Sequence, residues 1–155
     1  AKLVAQHDVT ALQEVWGAEL NGVCAVPTHA FPTLKSIPLH WIPGRLQPLA
    51  LWLAATGGLV QAVRSTWPVL HTASHTYSTS ISKSRKGVQA MLVQLPPPPG
   101  TPSACSHLLV FNTHLDPFSP PHQRAQMEEI RSFVGATTQH ILRNVLPPDV
   151  RAHNL

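Results

Sequence analysis

Residues 107–141, HLLVFNTHLDPFSPPHQRAQMEEIRSFVGATTQHI, change period half-way along. Residues 107–113 form an apolar run of strand length, and Asn112, His114 and Asp116 gather at its end. Ser119 is then placed to cap a helix and Pro120 suits a first helical position. Met127, Ile130, Val134, Thr137 and Ile141 follow at helical spacing, and Pro147 and Pro148 end the pattern. A strand feeding directly into a long helix predicts an α+β fold or a layered α/β sandwich.

Upstream of this stretch the sequence reads mostly as strand. Residues 87–95 form one apolar run, and residues 57–63 another that opens on a Gly57-Gly58 turn. Trp67-Pro68 closes the earlier run, and residues 69–79, rich in Thr, Ser and His, are expected to be its partner strand. Pro96 to Pro99 and Gly100 make an exposed loop before residue 107. Strands joined in succession by turns predict antiparallel neighbours. Residues 1–6 read as the end of a helix, followed by a short apolar strand over residues 9–12. In residues 21–56, prolines at 27, 32, 38, 43 and 48 remove backbone donors and forbid a long helix or central strand. That stretch is expected to be an irregular insertion, with a short helix over residues 47–55.

The 155 residues are enough for one domain or a piece of a larger one. Hydrophobic residues make up 43%, too many for a disordered chain, while 16 prolines are too many for a helical bundle. No apolar run reaches the roughly 18 residues of a membrane-spanning helix. The net charge is +4, and no acidic residue lies between Glu19 and Asp116. Lys83, Arg85 and Lys86 cluster within that span, a distribution that attracts phosphate-bearing partners, either nucleic acid or a lipid surface. The plainer reading is a weakly charged chain whose acids fall elsewhere. Cys24 and Cys105 form no CxxC pair and leave the redox compartment open.

No phosphate loop, dinucleotide fingerprint, HExxH or GxSxG pattern is present. His71 and His75 share a strand face but lie roughly 13 Å apart on it, a poor spacing for a common metal ion. Two segments bear chemistry. The strand at residues 9–12 runs into Gln13 and Glu14, and a hard cation such as Mg²⁺ can be held by one carboxylate while keeping most of its waters. The strand at residues 107–113 runs into His114, whose imidazole can donate to a phosphate oxygen or move a proton.

Leu12-Gln13-Glu14-Val15-Trp16 resembles the LQE motif of the endonuclease/exonuclease/phosphatase superfamily, and Asn112-Thr113-His114-Leu115 resembles its NTHL strand. Gly58-Leu59-Val60 with Ser65-Thr66-Trp67-Pro68-Val69 is similar to its GLxxLSRxPI turn, although Thr66 stands where Arg is usual. Lys86-Gly87-Val88 resembles a strand start of the neutral sphingomyelinase branch, and Arg124, Gln126 and Phe133 fit the helix that follows the histidine strand. The resemblance covers residues 1–20 and 57–143. It implies part of a four-layered, DNase I-like α/β sandwich and a Mg²⁺-dependent phosphodiester hydrolase. In that scheme Glu14 holds the metal, His114 stabilises the transition-state phosphate, and Asn112 orients the loop around the site. Arg85 and Lys86 meet the anionic substrate, a solvated pair being the plainer reading.

The superfamily's first strand, with its Asn, is expected to precede Ala1. Its GDFN and SDH segments, which carry the general base, are expected to follow Leu155. The chain is thus expected to be an N-terminal part of the domain, truncated at both ends. Three functions remain open: a sphingomyelin phosphodiesterase releasing phosphocholine at a membrane surface, a nuclease of the same superfamily, and a catalytically incomplete fragment. The compartment is open between membrane-associated cytoplasmic and extracellular. Half a sandwich also predicts an uncovered inner sheet face, with marginal stability or self-association.

Overall fold

A computed structural model describes residues 2–13, 26–31, 59–79, 86–97, 106–148 and 150. The fold is mixed α+β, with two three-stranded antiparallel sheets and one long helix among the described residues. The first sheet contains β1 (Val9–Leu12), β2 (His29–Ala30) and β3 (Val60–Arg64), ordered β1-β3-β2. The second contains β4 (Val69–Thr76), β5 (Gly87–Gln94) and β6 (His107–His114), in sequence order. A short helix, α1 (Lys2–Gln6), precedes β1, and the long helix α2 (Pro120–His140) follows β6.

Alternation along the strands sorts side chains into layers. Val60 and Ala62 of β3 pack with Val4 of α1, while Val63 packs with Met91 and Val93 of β5. Leu92 of β5 points the other way and packs with Ile141 and Leu146. The packing order is therefore α1, first sheet, second sheet, α2. β5 is the centre of the molecule, and Gly87 to Val93 are all buried. Gln61 is also fully buried between the sheets, where its amide donates to the Val110 carbonyl at 3.1 Å.

Residues 69–79 were expected to pair with the preceding strand, and here the structure differs. Both edges of β3 are occupied, by β1 and by β2, so no edge is left for β4. The chain turns at residues 64–67, with the Trp67 amide bonded to the Arg64 carbonyl at 2.9 Å, and crosses to the other sheet. Trp67 plugs that corner against the cluster of Val63, Met91 and Val93. β4 then pairs with β5 from Val69↔Val93 to Thr76↔Gly87. β4, β5 and β6 do follow the expected antiparallel succession. Within residues 21–56, the described residues 26–31 carry β2, held in place by the His29 ring, which bonds the His7 carbonyl at 2.7 Å. The helix expected over residues 47–55 lies outside the described residues.

α2 begins as expected. Ser119 is its N-cap in an extended conformation and its hydroxyl accepts from the His122 amide. The helix closes in a π-helical turn, Ile141–Val145, whose Ile141 carbonyl accepts from the Leu146 amide at 3.0 Å. This wider turn brings Ile141 and Leu146 together over Leu92. The expected stripe holds at Ile130, Val134, Thr137 and Ile141, which are half-buried or buried, and fails at its start, where Gln126 is buried and Met127 is 51% exposed. The reason is polar, because Gln126 takes the inward position to satisfy the backbone at Asp116. The inner face expected to lie bare is covered along β5, while Leu70, Thr72, Ser74 and Thr76 of β4 and Leu108 of β6 face solvent.

Candidate functional site

Asn112 and His114 are two residues apart on β6 and so share its face toward the first sheet. Asn112 is 5% exposed, and its amide donates to the Leu12 carbonyl at 2.9 Å and the Val60 carbonyl at 3.3 Å. Leu12 and Val60 are the last register pair of the β1–β3 ladder. The asparagine thus satisfies carbonyls at the end of that ladder and ties the two sheets together. The Gln13 side-chain amide adds a second tie, donating to the Thr113 carbonyl. Segments 100 residues apart in sequence meet here.

The start of β5 lies at the same end, because Gly87 pairs with His114. Lys86, just before it, is 5% exposed, and its Nζ lies 2.9 Å from each ring nitrogen of His114. An ammonium only donates, so the ring nitrogen that accepts from it is the unprotonated one. Lys86 is therefore a buried partner of His114 and does not match the plainer reading of a solvated cation. Gln89, opposite Asn112 in the register, is buried as well. The result is a polar floor of Lys86, Gln89, Asn112 and His114 under the ends of β1 and β6.

The other face of the second sheet carries a different polar cluster, under α2. Glu129 accepts from His75 Nε2 at 2.6 Å, from the Ser78 hydroxyl at 2.9 Å and from the Ser78 amide at 3.1 Å. Burial pushes its carboxyl up, but the His75 and Ser78 hydrogen bonds outweigh that and hold it below the usual carboxylate range. Tyr77, 3% exposed, bonds Thr113 through its hydroxyl. Burial pushes its phenol up, the Thr113 bond pulls the other way, and the Glu129 charge adds to the rise. The His71 and His140 rings lie 5.0 Å apart, and burial followed by the His140 charge holds His71 below its ordinary value. His71 and His75 thus each have a partner on α2, through a ring contact and a carboxylate respectively.

Of the residues singled out in the sequence, Asn112, His114 and Lys86 come together at one end of the molecule. Glu14, Arg85, Lys83, Cys24 and Cys105 lie outside the described residues. Gln126, noted in the sequence only as part of a motif, is fully buried, and it accepts from the Asp116 amide at 2.9 Å while donating to the Thr79 carbonyl at 3.4 Å. The contacts of Gln13, Gln61, Tyr77 and Glu129 had not been anticipated. A polar residue inside an apolar pattern is the one signal that pointed to Gln61. A hollow of about 500 Å³ between Leu92, Leu109, Ile141 and Leu146 sits at the opposite end of β6 from His114 and belongs to the packing of α2. Among the described residues no group of three or more His, Cys, Asp and Glu side chains converges. No family model, curated protein or solved structure matches the chain.

Proposed function

We propose that the chain is part of a Mg²⁺-dependent phosphodiester hydrolase of the sphingomyelin phosphodiesterase type, built on part of a four-layered DNase I-like sandwich. The layer order α1, sheet, sheet, α2 supports the fold reading. The observation that carries the functional reading is the junction between β1 and β6. Asn112 holds the Leu12 carbonyl and Gln13 holds the Thr113 carbonyl. The residue that follows Gln13 is Glu14, and the residue that follows Thr113 is His114. Two distant motifs thus converge on one end of the fold.

The donor chemistry fits a hard cation. A carboxylate such as Glu14 is the ligand type that Mg²⁺ prefers, and the ion completes its shell with water. The buried Lys86 ammonium keeps the His114 neighbourhood for anions. When bound, the metal neutralises charge on the phosphoryl oxygens and on the leaving oxygen. In the reaction a water oxygen attacks phosphorus in line, the bond to the alcohol oxygen breaks, and the alcohol leaves with a proton. His114 donates a ring N–H to a phosphoryl oxygen where negative charge develops, and Lys86 adds its positive charge beside it. Asn112 keeps the end of β6, and with it His114, against the end of β1.

The test is turnover of radiolabelled sphingomyelin in mixed micelles with Mg²⁺, by this chain, by Glu14→Gln and by His114→Ala. Turnover that both substitutions lower by about a hundredfold or more supports the proposal. Cleavage of DNA or RNA with a steep salt dependence would move the reading to the nuclease class, which the acid-free span from residue 20 to residue 115 allows. Absence of both turnover and Mg²⁺-linked thermal stabilisation would mark a catalytically incomplete fragment.

A further inference from the structure

Phe118 is 90% exposed, while the next most exposed large apolar side chain among the described residues, Met127, is 51% exposed. It stands on the turn between β6 and α2, four residues after His114. Exposure of one aromatic on a loose loop would mean little, but this loop is pinned at both ends. The Asp116 amide donates to Gln126 Oε1 at 2.9 Å, and Gln123 Nε2 donates to the Asp116 carbonyl at 2.8 Å. Ser119 caps α2 through its hydroxyl, and its carbonyl accepts from the Gln123 amide at 2.9 Å. The backbone on both sides of Phe118 is thus held by hydrogen bonds, and the phenyl ring stands in water.

The residues around the apex suit a boundary between water and an apolar medium. Pro117, Pro120 and Pro121 are exposed and have no N–H to leave unsatisfied. The amides of Asp116, His122 and Gln123 are already bonded within the chain. The one acid of the turn, Asp116, is 3% exposed, so no carboxylate faces outward there. Exposed Arg124 follows one turn into the helix. An exposed aromatic flanked by exposed prolines and backed by a cation is suited to the headgroup boundary of a bilayer, where aromatic rings concentrate.

We propose that residues 116–121 form a membrane wedge, with Phe118 entering a phospholipid bilayer and seating the His114 end of the fold on the lipid surface. The choice of a bilayer rests on the lipid reading above, whereas the pinned, protruding phenyl does not depend on it. One aromatic anchors weakly by itself, and the net charge of +4 supplies a second signal toward anionic lipid.

The experiment is sedimentation of the full 155-residue chain with vesicles of phosphatidylcholine and sphingomyelin, with and without phosphatidylserine, in EDTA so that no turnover occurs. The chain is expected to pellet with vesicles. Phe118→Ser should weaken partitioning about tenfold, as expected for losing most of one phenyl's burial, and Phe118→Trp should restore it. Both variants should melt as the parent does, because the side chain packs against little. A parent chain that stays in solution, or a Phe118→Ser variant that binds equally well, overturns the wedge. So does Phe118-dependent self-association on a sizing column without vesicle binding. Vesicle binding without sphingomyelin turnover supports the wedge and counts against the enzyme. Turnover of a water-soluble phosphocholine ester without vesicle binding does the reverse.

Discussion

β4 and β5 are neighbours of equal length in one sheet, yet they are built on opposite rules. β5 is buried from Gly87 to Val93, since the first sheet covers one face and α2 with its π-helical turn covers the other. β4 alternates strictly between half-buried and exposed, with His71, Ala73 and His75 under α2 and Thr72, Ser74 and Thr76 in solvent. Composition follows position: β5 reads Gly-Val-Gln-Ala-Met-Leu-Val-Gln, and β4 reads Val-Leu-His-Thr-Ala-Ser-His-Thr. The difference teaches that the core of this chain is narrow and that β5 is its axis.

The comparison breaks most readily at Met91. It is fully buried between the sheets, and Met91→Ala should cost about 3 kcal/mol in urea unfolding. A loss below 1 kcal/mol would mean that the two sheets do not pack there. Asn112→Ala should cost about 2 kcal/mol, because it removes both buried hydrogen bonds that tie β6 to the Leu12 and Val60 carbonyls. Gly87→Ala belongs between these two values and the surface, at about 1–2 kcal/mol, since its Cβ would run into the His75 carbonyl of β4.

Glu129 tests the α2 side of β4. Glu129→Gln should cost about 1 kcal/mol at neutral pH, and its signature is in the pH dependence. The Glu129 carboxyl is depressed in the folded chain, so its contribution is present above its unfolded value and is lost as pH falls through the folded one. His71 is also depressed, so the folded state resists its protonation, and stability declines below the ordinary value of 6.5 toward the lower folded one. Thermal melts should therefore fall in two stages on acidification, and Glu129→Gln should flatten the lower stage alone. The smallest effect sharpens the comparison. Thr72 is the register partner of Met91, and Thr72→Ala should change stability by no more than about 0.5 kcal/mol.

Much of this fold was legible from local pattern. The run at residues 87–95 became β5, residues 107–113 extend one residue further as β6, and the Ser119 cap and Pro120 start of α2 stand where the sequence put them. The pairing of β4 was not legible. Any strand offers the same backbone donors and acceptors, and nothing in residues 69–79 shows that β1 and β2 have already taken both edges of β3. Met127 was misplaced for a related reason. Spacing marks an apolar residue near the inward face, but Gln126 wins that face because the Asp116 amide must be satisfied.

The candidate site divides in the same way. The residue types were readable: a carboxylate after one strand, and an asparagine and a histidine at the end of another. That Asn112 reaches the Leu12 carbonyl, and that Lys86 is buried against His114, arises only when the two sheets face each other. The sequence by itself determined the strands β1 and β3 to β6 and the long helix, though not β2, because burial periodicity and capping act over a few residues. Only the tertiary structure decided which strands pair, which polar side chains are buried, and that Phe118 is left in solvent. Those outcomes depend on hydrogen bonds and contacts between segments up to 100 residues apart, which compete for the same few edges and faces.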